Sequence, residues 1–264
     1  MKHVYLSPHL DDAVLSCGGA IHRRAATGET VLVLTIFTGD FEGGELSPFA
    51  ARLHKEWGNP PQIMTLRCAE DVAALTLLGA QGQHLGYLDA IYRADPEGEW
   101  LYTGDEALFG GVHLADPLIQ DGAEALFADL VERLPPAEQA TVYAPLTVGQ
   151  HVDHVVVHSV ARHLLESGYR VAFYEDYPYA ETPQALESAL VAVEGEHWRS
   201  EVIPLDPADV AARVSAIGYY RSQLSILFGG AEAMPNRVWA YAAACSVGPG
   251  LAERIWWPEL ASPA

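Results

Sequence analysis

The sequence predicts an α/β fold, a Rossmann-like doubly wound and mostly parallel sheet with helices on both faces. Three observations carry that expectation. Short runs rich in Val, Ile, Leu and aromatics alternate with longer stretches of helical periodicity. Those runs are continuously apolar rather than alternating, as strands covered on both faces are. Two of them end in turns crowded with His and Asp, at the sheet edge where open α/β folds place their ligand crevice.

The strand-like runs are His3–Leu6, Thr30–Phe37, Thr141–Ala144, Arg170–Tyr174 and His197–Ile203. Helical patterns cover Ala13–Ala26, Gln62–Leu78, Gly122–Arg133, His154–Glu166, Pro183–Val193 and Pro207–Leu227. Pro207 suits a first helical turn, with Asp206 as its cap. Such alternation implies parallel strands joined by right-handed crossovers. Two segments break the rhythm: Thr38–Pro61, rich in Gly, Pro and acid, and Asp89–Pro117, which carries Trp100, Tyr102 and Phe109. Long irregular stretches inside compact domains are more often functional rims, and both read as walls of a cleft. Phe41, Trp57, Trp100 and Tyr102 within them read first as loop anchors. No repeat, low-complexity tract or linker divides the chain, so residues 1–264 read as one domain with insertions near 38–61 and 89–117.

Composition excludes several partners. Fifteen basic against thirty-five acidic residues give a net charge of −20, a field that repels nucleic acid and anionic membrane surfaces. Cys17, Cys68 and Cys245 have no paired spacing, which speaks against a disulfide framework and for a reducing cytoplasm. No apolar run reaches the roughly 18 residues that a membrane span needs, and no secretory leader pattern is seen at the N-terminus. A homo-oligomer is left open, with Trp256-Trp257-Pro258 assigned equally to an interface or the core.

The chemistry concentrates in two motifs, Ser7-Pro8-His9-Leu10-Asp11-Asp12 and His151-Val152-Asp153-His154. Adjacent carboxylates repel, and a divalent cation is the usual compensation. A catalytic zinc takes three protein ligands and leaves one position open. His9 and Asp12 are three apart on a turn entering a helix, and His154 sits at the corresponding edge of a second strand, so these three are the expected metal ligands. His151, at i−3 from His154, is then free to face a substrate. A single His or Asp at a strand end is more often a helix cap, but two such sets at equivalent edges make a joint coincidence hard to sustain. His158 reads as packed. Gln150, beside His151, is a further candidate for the site lining. The residues imply a metal-dependent hydrolase.

These motifs resemble the Pro-His-Pro-Asp-Asp-Glu and Gly-His-Pro-Asp-His signatures of the PIG-L (LmbE-like) family of zinc-dependent deacetylases of N-acetylglucosamine conjugates. Arg67-Cys68-Ala69-Glu70, Leu85-Gly86-Tyr87-Leu88-Asp89 and Tyr220-Arg221-Ser222-Gln223 look like further family segments, in order along the chain. Leu10 and Val152 replace prolines, and Ala13 replaces the glutamate after the aspartate pair. The resemblance implies hydrolysis of an N-acyl amino-sugar conjugate by a zinc-activated water, with one Zn2+ per chain, although a His2Asp site accepts other divalent ions too. It implies that Asp11 is the general base. His151 is expected as a cation facing the oxyanion, with Asp153 orienting its ring. Arg67 and Asp89 would grip sugar hydroxyls; the alternative for Arg67 is an intrahelical pair with Glu70 or Asp71.

Three rivals remain at this level. A receiver-type Mg-binding signalling domain shares the acidic pair but needs a suitably placed Lys, and the only lysines are Lys2 and Lys55. A nucleotide-binding Rossmann enzyme needs Gly-x-Gly-x-x-Gly, whereas Gly18-Gly19 lacks that spacing and reads as close helix packing. A metal-binding member that has lost turnover is the third.

Overall fold

The computed structural model describes residues 2–119, 121–191 and 197–259. Seven strands form one sheet: β1 (Lys2–Ser7), β2 (Thr30–Thr35), β3 (Gln81–His84), β4 (Ala140–Pro145), β5 (Arg170–Tyr174), β6 (His197–Leu205) and β7 (Leu251–Glu259), in the spatial order β3-β2-β1-β4-β5-β7-β6. The pairs from β3 through β5 are parallel, while β7 runs antiparallel to both β5 and β6. The expected α/β architecture is therefore present, with an antiparallel β6–β7 edge that the sequence did not announce.

The helices are α1 (Asp12–Ala26), α2 (Pro48–Glu56), α3 (Ile63–Leu78), α4 (Asp105–Leu108), α5 (Asp121–Arg133), α6 (Val152–Glu166), α7 (Pro183–Val191), α8 (Pro207–Ile217), α9 (Arg221–Phe228) and α10 (Met234–Cys245). Two apolar layers cover the sheet. One joins Val14, Ile21, Leu75, Val210, Ile217 and Val238 from α1, α3, α8 and α10; the other joins Leu126, Leu130, Val157, Val160, Leu164 and Leu186 from α5, α6 and α7. None of the helices among the described residues is long and apolar enough to cross a membrane.

Several elements differ from expectation. The helix expected at 207–227 breaks after Ile217, because Tyr220 is buried with its hydroxyl on Asp71 (2.8 Å), while Glu70 accepts the Ser222 N–H (3.0 Å) at the start of α9. The segment read as irregular at 38–61 contains α2, started by Ser47, whose Oγ accepts from Ala50 N–H (3.0 Å), with Pro48 in the first turn. The last two positions expected of the helix at 183–193 lie outside the described residues.

A buried ion pair reaches into α1. Arg213 of α8 donates through Nε to the Leu15 carbonyl (3.0 Å), and Glu253 of β7 accepts from Gly19 N–H and Ala20 N–H, both at 2.9 Å. The two side chains face each other at 3.3 Å. Glycines are required here, because a Cβ on Gly18 would stand 2.9 Å from Arg213 Cγ and one on Gly19 2.6 Å from Leu205 Cδ1. The Gly18-Gly19 pair is thus a packing feature.

Candidate active site

The strand order reverses direction around β1, so the crevice opens between the C-terminal ends of β1 and β4. Both histidine motifs leave the sheet there. The turn after β1 carries His9, Asp11 and Asp12, and that after β4 carries His151, Asp153 and His154. Leu10 and Val152, where the family signatures have proline, are buried anchors of these turns. Leu10 packs with Ile63 and Met64, Val152 with Phe49, Ile91 and Tyr92. Backbone strain accompanies the second turn, since Thr147 (φ 71°) and Gln150 (φ 63°) take left-handed conformations that non-glycine residues seldom adopt. Gln150 does not line the cleft; its amide is tied back to the Thr147 carbonyl at 2.9 Å.

Asp12 Oδ2 is the meeting point. It lies 3.2 Å from His9 Nδ1 and 3.2 Å from His154 Nε2, and it accepts the His9 backbone N–H at 2.7 Å. Ligand atoms of a tetrahedral centre with bonds of about 2.0–2.1 Å stand about 3.3 Å apart, so each ring nitrogen stands from Asp12 Oδ2 at the spacing of two ligands on one divalent ion. The outer ring nitrogens are also held as metal-binding histidines require. His9 Nε2 donates to Asp153 (2.9 Å) and His154 Nδ1 donates to Asp176 (2.6 Å), which leaves the inner nitrogens to present lone pairs.

The electrostatics fit a cation as well. Burial opposes charge on His9 and His154, yet carboxylates on both sides outweigh it: His9 is held well above the usual imidazole range and His154 is raised to about 10. Asp12 is held well below the usual carboxylate range by the two imidazoles despite its burial. This cluster demands positive charge. Among the described residues two sets of three bring one donor atom each within 4.8 Å of one another: His9 with His151 and His154, and, as a neighbouring group, His9 with Asp89 and Asp153. Asp153, however, already carries the Arg93 guanidinium at 2.5 Å, and His9 turns its N–H toward it, so that group is the outer support rather than a second centre.

Asp11 stands at the N-terminus of α1 without making a side-chain cap bond; Ser7 Oγ accepts the Ala13 N–H instead (3.0 Å). Its carboxylate is therefore free to line the cleft. Burial and the Asp12 charge raise it to about 6, against the pull of Arg67. Arg67 lies 4.0 Å from Asp11, stacks over Trp57 and has a buried Nε without a hydrogen-bond partner. The alternative pairing of Arg67 within its helix is not seen, since Glu70 serves Ser222 and Asp71 serves His84 and Tyr220. Asp89 accepts from Ile91 N–H (3.1 Å) and stands 3.7 Å from His9 Nε2.

One expectation needs correcting. Asp153 does not orient His151 through its carboxylate, which points to His9, Arg93 and the Ala90 N–H. Its backbone N–H does so instead, donating to His151 Nδ1 at 3.2 Å. Burial, reinforced by the charge on His9, holds His151 well below the usual imidazole range. Nδ1 accepts that N–H, so the geometry leaves Nε2 to carry the ring proton and runs against the expected cation. His158 is packed as expected, donating to the Pro145 carbonyl at 2.9 Å.

Two residues escaped the sequence reading. Asp176 follows β5 just as Asp11 and Asp12 follow β1, and that edge position was the available signal. Arg93 lies in the irregular 89–117 segment and gave none. It binds Asp153, Asp116 (3.0 Å) and the Leu88 carbonyl (3.2 Å), and Tyr102 adds its hydroxyl to Asp116 at 2.7 Å. Tyr102 is thus an anchor, and Phe41 stacks on Tyr92 in the same role. Both interrupting segments do wall the cleft, which has a volume of about 210 Å³ and receives Phe49, Leu53 and Trp57 from one and Ile91, Leu108 and Phe109 from the other.

Comparison with known proteins points to one family. The chain is 32% identical over 191 residues to the 2'-N-acetylparomamine deacetylase of Niallia circulans, covering 67% of this chain and 66% of that protein. It is 32% identical over 192 residues to the enzyme of that name from Streptomyces fradiae, covering 70% and 60%. The chain spans less than two thirds of the length of these curated relatives. Among solved structures, the zinc-inhibited form of teicoplanin deacetylase Orf2 superposes with a TM-score of 0.82 at 30% identity, over 98% of this chain and 97% of that one. A family model described as PIG-L, GlcNAc-PI de-N-acetylase, matches residues 4–165, more than half of the chain and the stretch that holds both histidine motifs. The chain belongs to the PIG-L family.

Proposed function

We propose that this chain is a metal-dependent amide hydrolase that deacetylates an N-acetylated amino-sugar conjugate, with zinc held by His9, Asp12 and His154. The observation that carries this reading is the convergence of those three groups, with the outer nitrogen of each histidine braced by its own carboxylate. The seven strands in one sheet support treating residues 1–264 as one domain. Three free cysteines suit a reducing, cytoplasmic setting.

A divalent ion in that position supplies Lewis-acid activation of water and of the amide carbonyl. Asp11, free of a cap bond and 4.0 Å from Arg67, takes the proton of the attacking water and passes it to the leaving amine; a well-placed base contributes about 10²–10⁴-fold. His151 donates from Nε2 to the carbonyl oxygen as charge develops there, with Nδ1 fixed by the Asp153 N–H. Asp153 acts as a positioning residue for His9. Arg67, with its unpartnered Nε, and Asp89 line the floor and hold sugar hydroxyls.

The test is amine release from a panel of N-acetylated amino sugars by protein of measured zinc content. Activity should vanish with a chelator and return with zinc. Stoichiometric metal with no hydrolysis of any member would favour a binding protein instead.

A further inference from the structure

The outer helices on one side of the sheet reverse the usual pattern. α3 carries Arg67, Glu70 and Asp71, and all three are buried. Its outward positions are Thr65, Leu66, Ala69, Val72, Thr76 and Leu77, one continuous stripe without a charge. α8 repeats the arrangement: Asp209 and Arg213 are buried, while Pro207, Ala208, Ala211 and Ser215 face out. α8 packs on α1 and touches both α3 and α10, and α10 adds exposed Ala240, Ala243 and Ala244. Arg237, the one charge on α10, is half-buried and paired with Glu181. Surface helices normally turn their charges to water and their apolar side to the core. In a chain with 15 basic and 35 acidic residues, this three-helix face is a local exception.

Charge, size and symmetry narrow what covers it. The Arg23–Asp206 pair lies at the start of α8 and exposed Arg221 beyond its end, so the face has the uncharged centre and charged rim of a protein interface. A lipid surface calls for flanking cations and bulky apolar anchors, whereas most outward residues here are Ala, Ser or Thr. Two chains at −20 repel each other, and on this face they meet without opposing carboxylates. An antiparallel copy of α3 brings Leu66 to Leu77 and Ala69 to Ala73, the self-matching that a two-fold contact requires. At 16 residues α3 is about 24 Å long. Three helices spaced about 10 Å apart then cover roughly 700 Å² in projection, close to the ~800 Å² per partner of a standard interface.

We propose that this face joins two copies of the chain, α3 of one against α3 of the other across a two-fold axis near Val72, with α8 and α10 extending the contact. The contact is independent of the hydrolase chemistry.

The test is sedimentation velocity of the full chain at about 1–100 μM, where an interface of this size associates. The parent should form a concentration-dependent dimer that tightens as NaCl rises from about 0.05 to 0.5 M, because salt screens the like charges. Val72 is 56% exposed, so Val72→Glu leaves the core untouched. That variant and Ala211→Glu should each weaken the dimer about a hundredfold by opposing carboxylates. Leu114→Glu, at an 88% exposed position in the 89–117 segment, should leave it unchanged. Mixing Val72→Glu with Val72→Lys chains should restore association, since the axis brings the two side chains together. A parent that stays monomeric throughout overturns the proposal. So does a dimer indifferent to Val72→Glu and Ala211→Glu, one weakened equally by Leu114→Glu, or a Glu–Lys mixture that fails to associate. A monomer that floats with zwitterionic phosphatidylcholine vesicles, and is released by Val72→Glu, assigns the face to lipid and overturns it too.

Discussion

The Arg93 guanidinium lies 2.5 Å from the Asp153 carboxylate, whose other oxygen accepts His9 Nε2–H at 2.9 Å. A cation in the 89–117 segment therefore keeps Asp153 ionised and, through it, sets which nitrogen of His9 faces Asp12. Asp153 is accordingly held far below the usual carboxylate range, with Arg93 and His9 together outweighing its burial. Arg93→Met should weaken zinc binding by about 10–100-fold, read by competition with a chromophoric chelator. Stranding Asp153 should also cost about 3–5 kcal/mol in urea unfolding. Unchanged zinc affinity beside that loss would reduce Arg93 to a structural strut.

Asp11→Asn tests the proposed base without touching a proposed ligand. Zinc content by elemental analysis should remain near one per chain while kcat falls about 10²–10⁴-fold. Activity near the parent level would exclude Asp11 as the base.

The two histidines of the second motif should separate cleanly. His154→Ala opens the ligand set and should abolish stoichiometric zinc, whereas His151→Ala should retain it and lose turnover. If His154→Ala still holds one zinc, the assignment of ligands is wrong.

Alkaline stability should depend on His84. The Asp71 hydrogen bond raises its imidazole to about 9, above the ordinary value of about 6.5. The folded state therefore favours the charged ring. That contribution is complete below about pH 6.5 and is lost as pH rises through about 9. Burial lifts the Asp71 carboxyl in spite of the same bond, so the imidazole governs the alkaline side. Between pH 7 and 10 the parent protein should lose unfolding free energy more steeply than His84→Gln. Parallel profiles would show that the pair contributes nothing.

Gly19→Ala tests the packing around α1. A methyl group 2.6 Å from Leu205 and 2.9 Å from Glu253 must displace one of them, at about 1–3 kcal/mol. Thermal denaturation with an unchanged Tm would show that the helix shifts freely.

What the sequence disclosed follows from how each signal is written. The converging His and Asp side chains were legible because each set is local, a cluster directly after a buried apolar run. Asp176 was missed because a lone acid after β5 has no neighbour in the site; Glu175 beside it turns away to Trp256 Nε1 (2.8 Å). β3, spelled Gln81-Gly82-Gln83-His84, carries no apolar pattern and is held by its pairing with β2. β7 contains Glu253, Arg254 and Pro258, unlike a buried parallel strand, and its charged residues find partners only in the folded chain. The lowered basicity of His151 follows from burial, and the orientation of its ring from a backbone N–H, neither of which a motif records.

The grip of Glu253 on α1 sets a limit on dissection. The family match ends at residue 165, and a fragment cut there would keep His9, Asp12 and His154. It would lose Arg213 and Glu253, the clasp on the helix that begins with Asp12, and Asp176 behind His154. The stretch that the family model matches therefore lacks side chains that brace both histidine motifs, and β7, the last strand among the described residues, travels back across the sheet to hold the first helix in place.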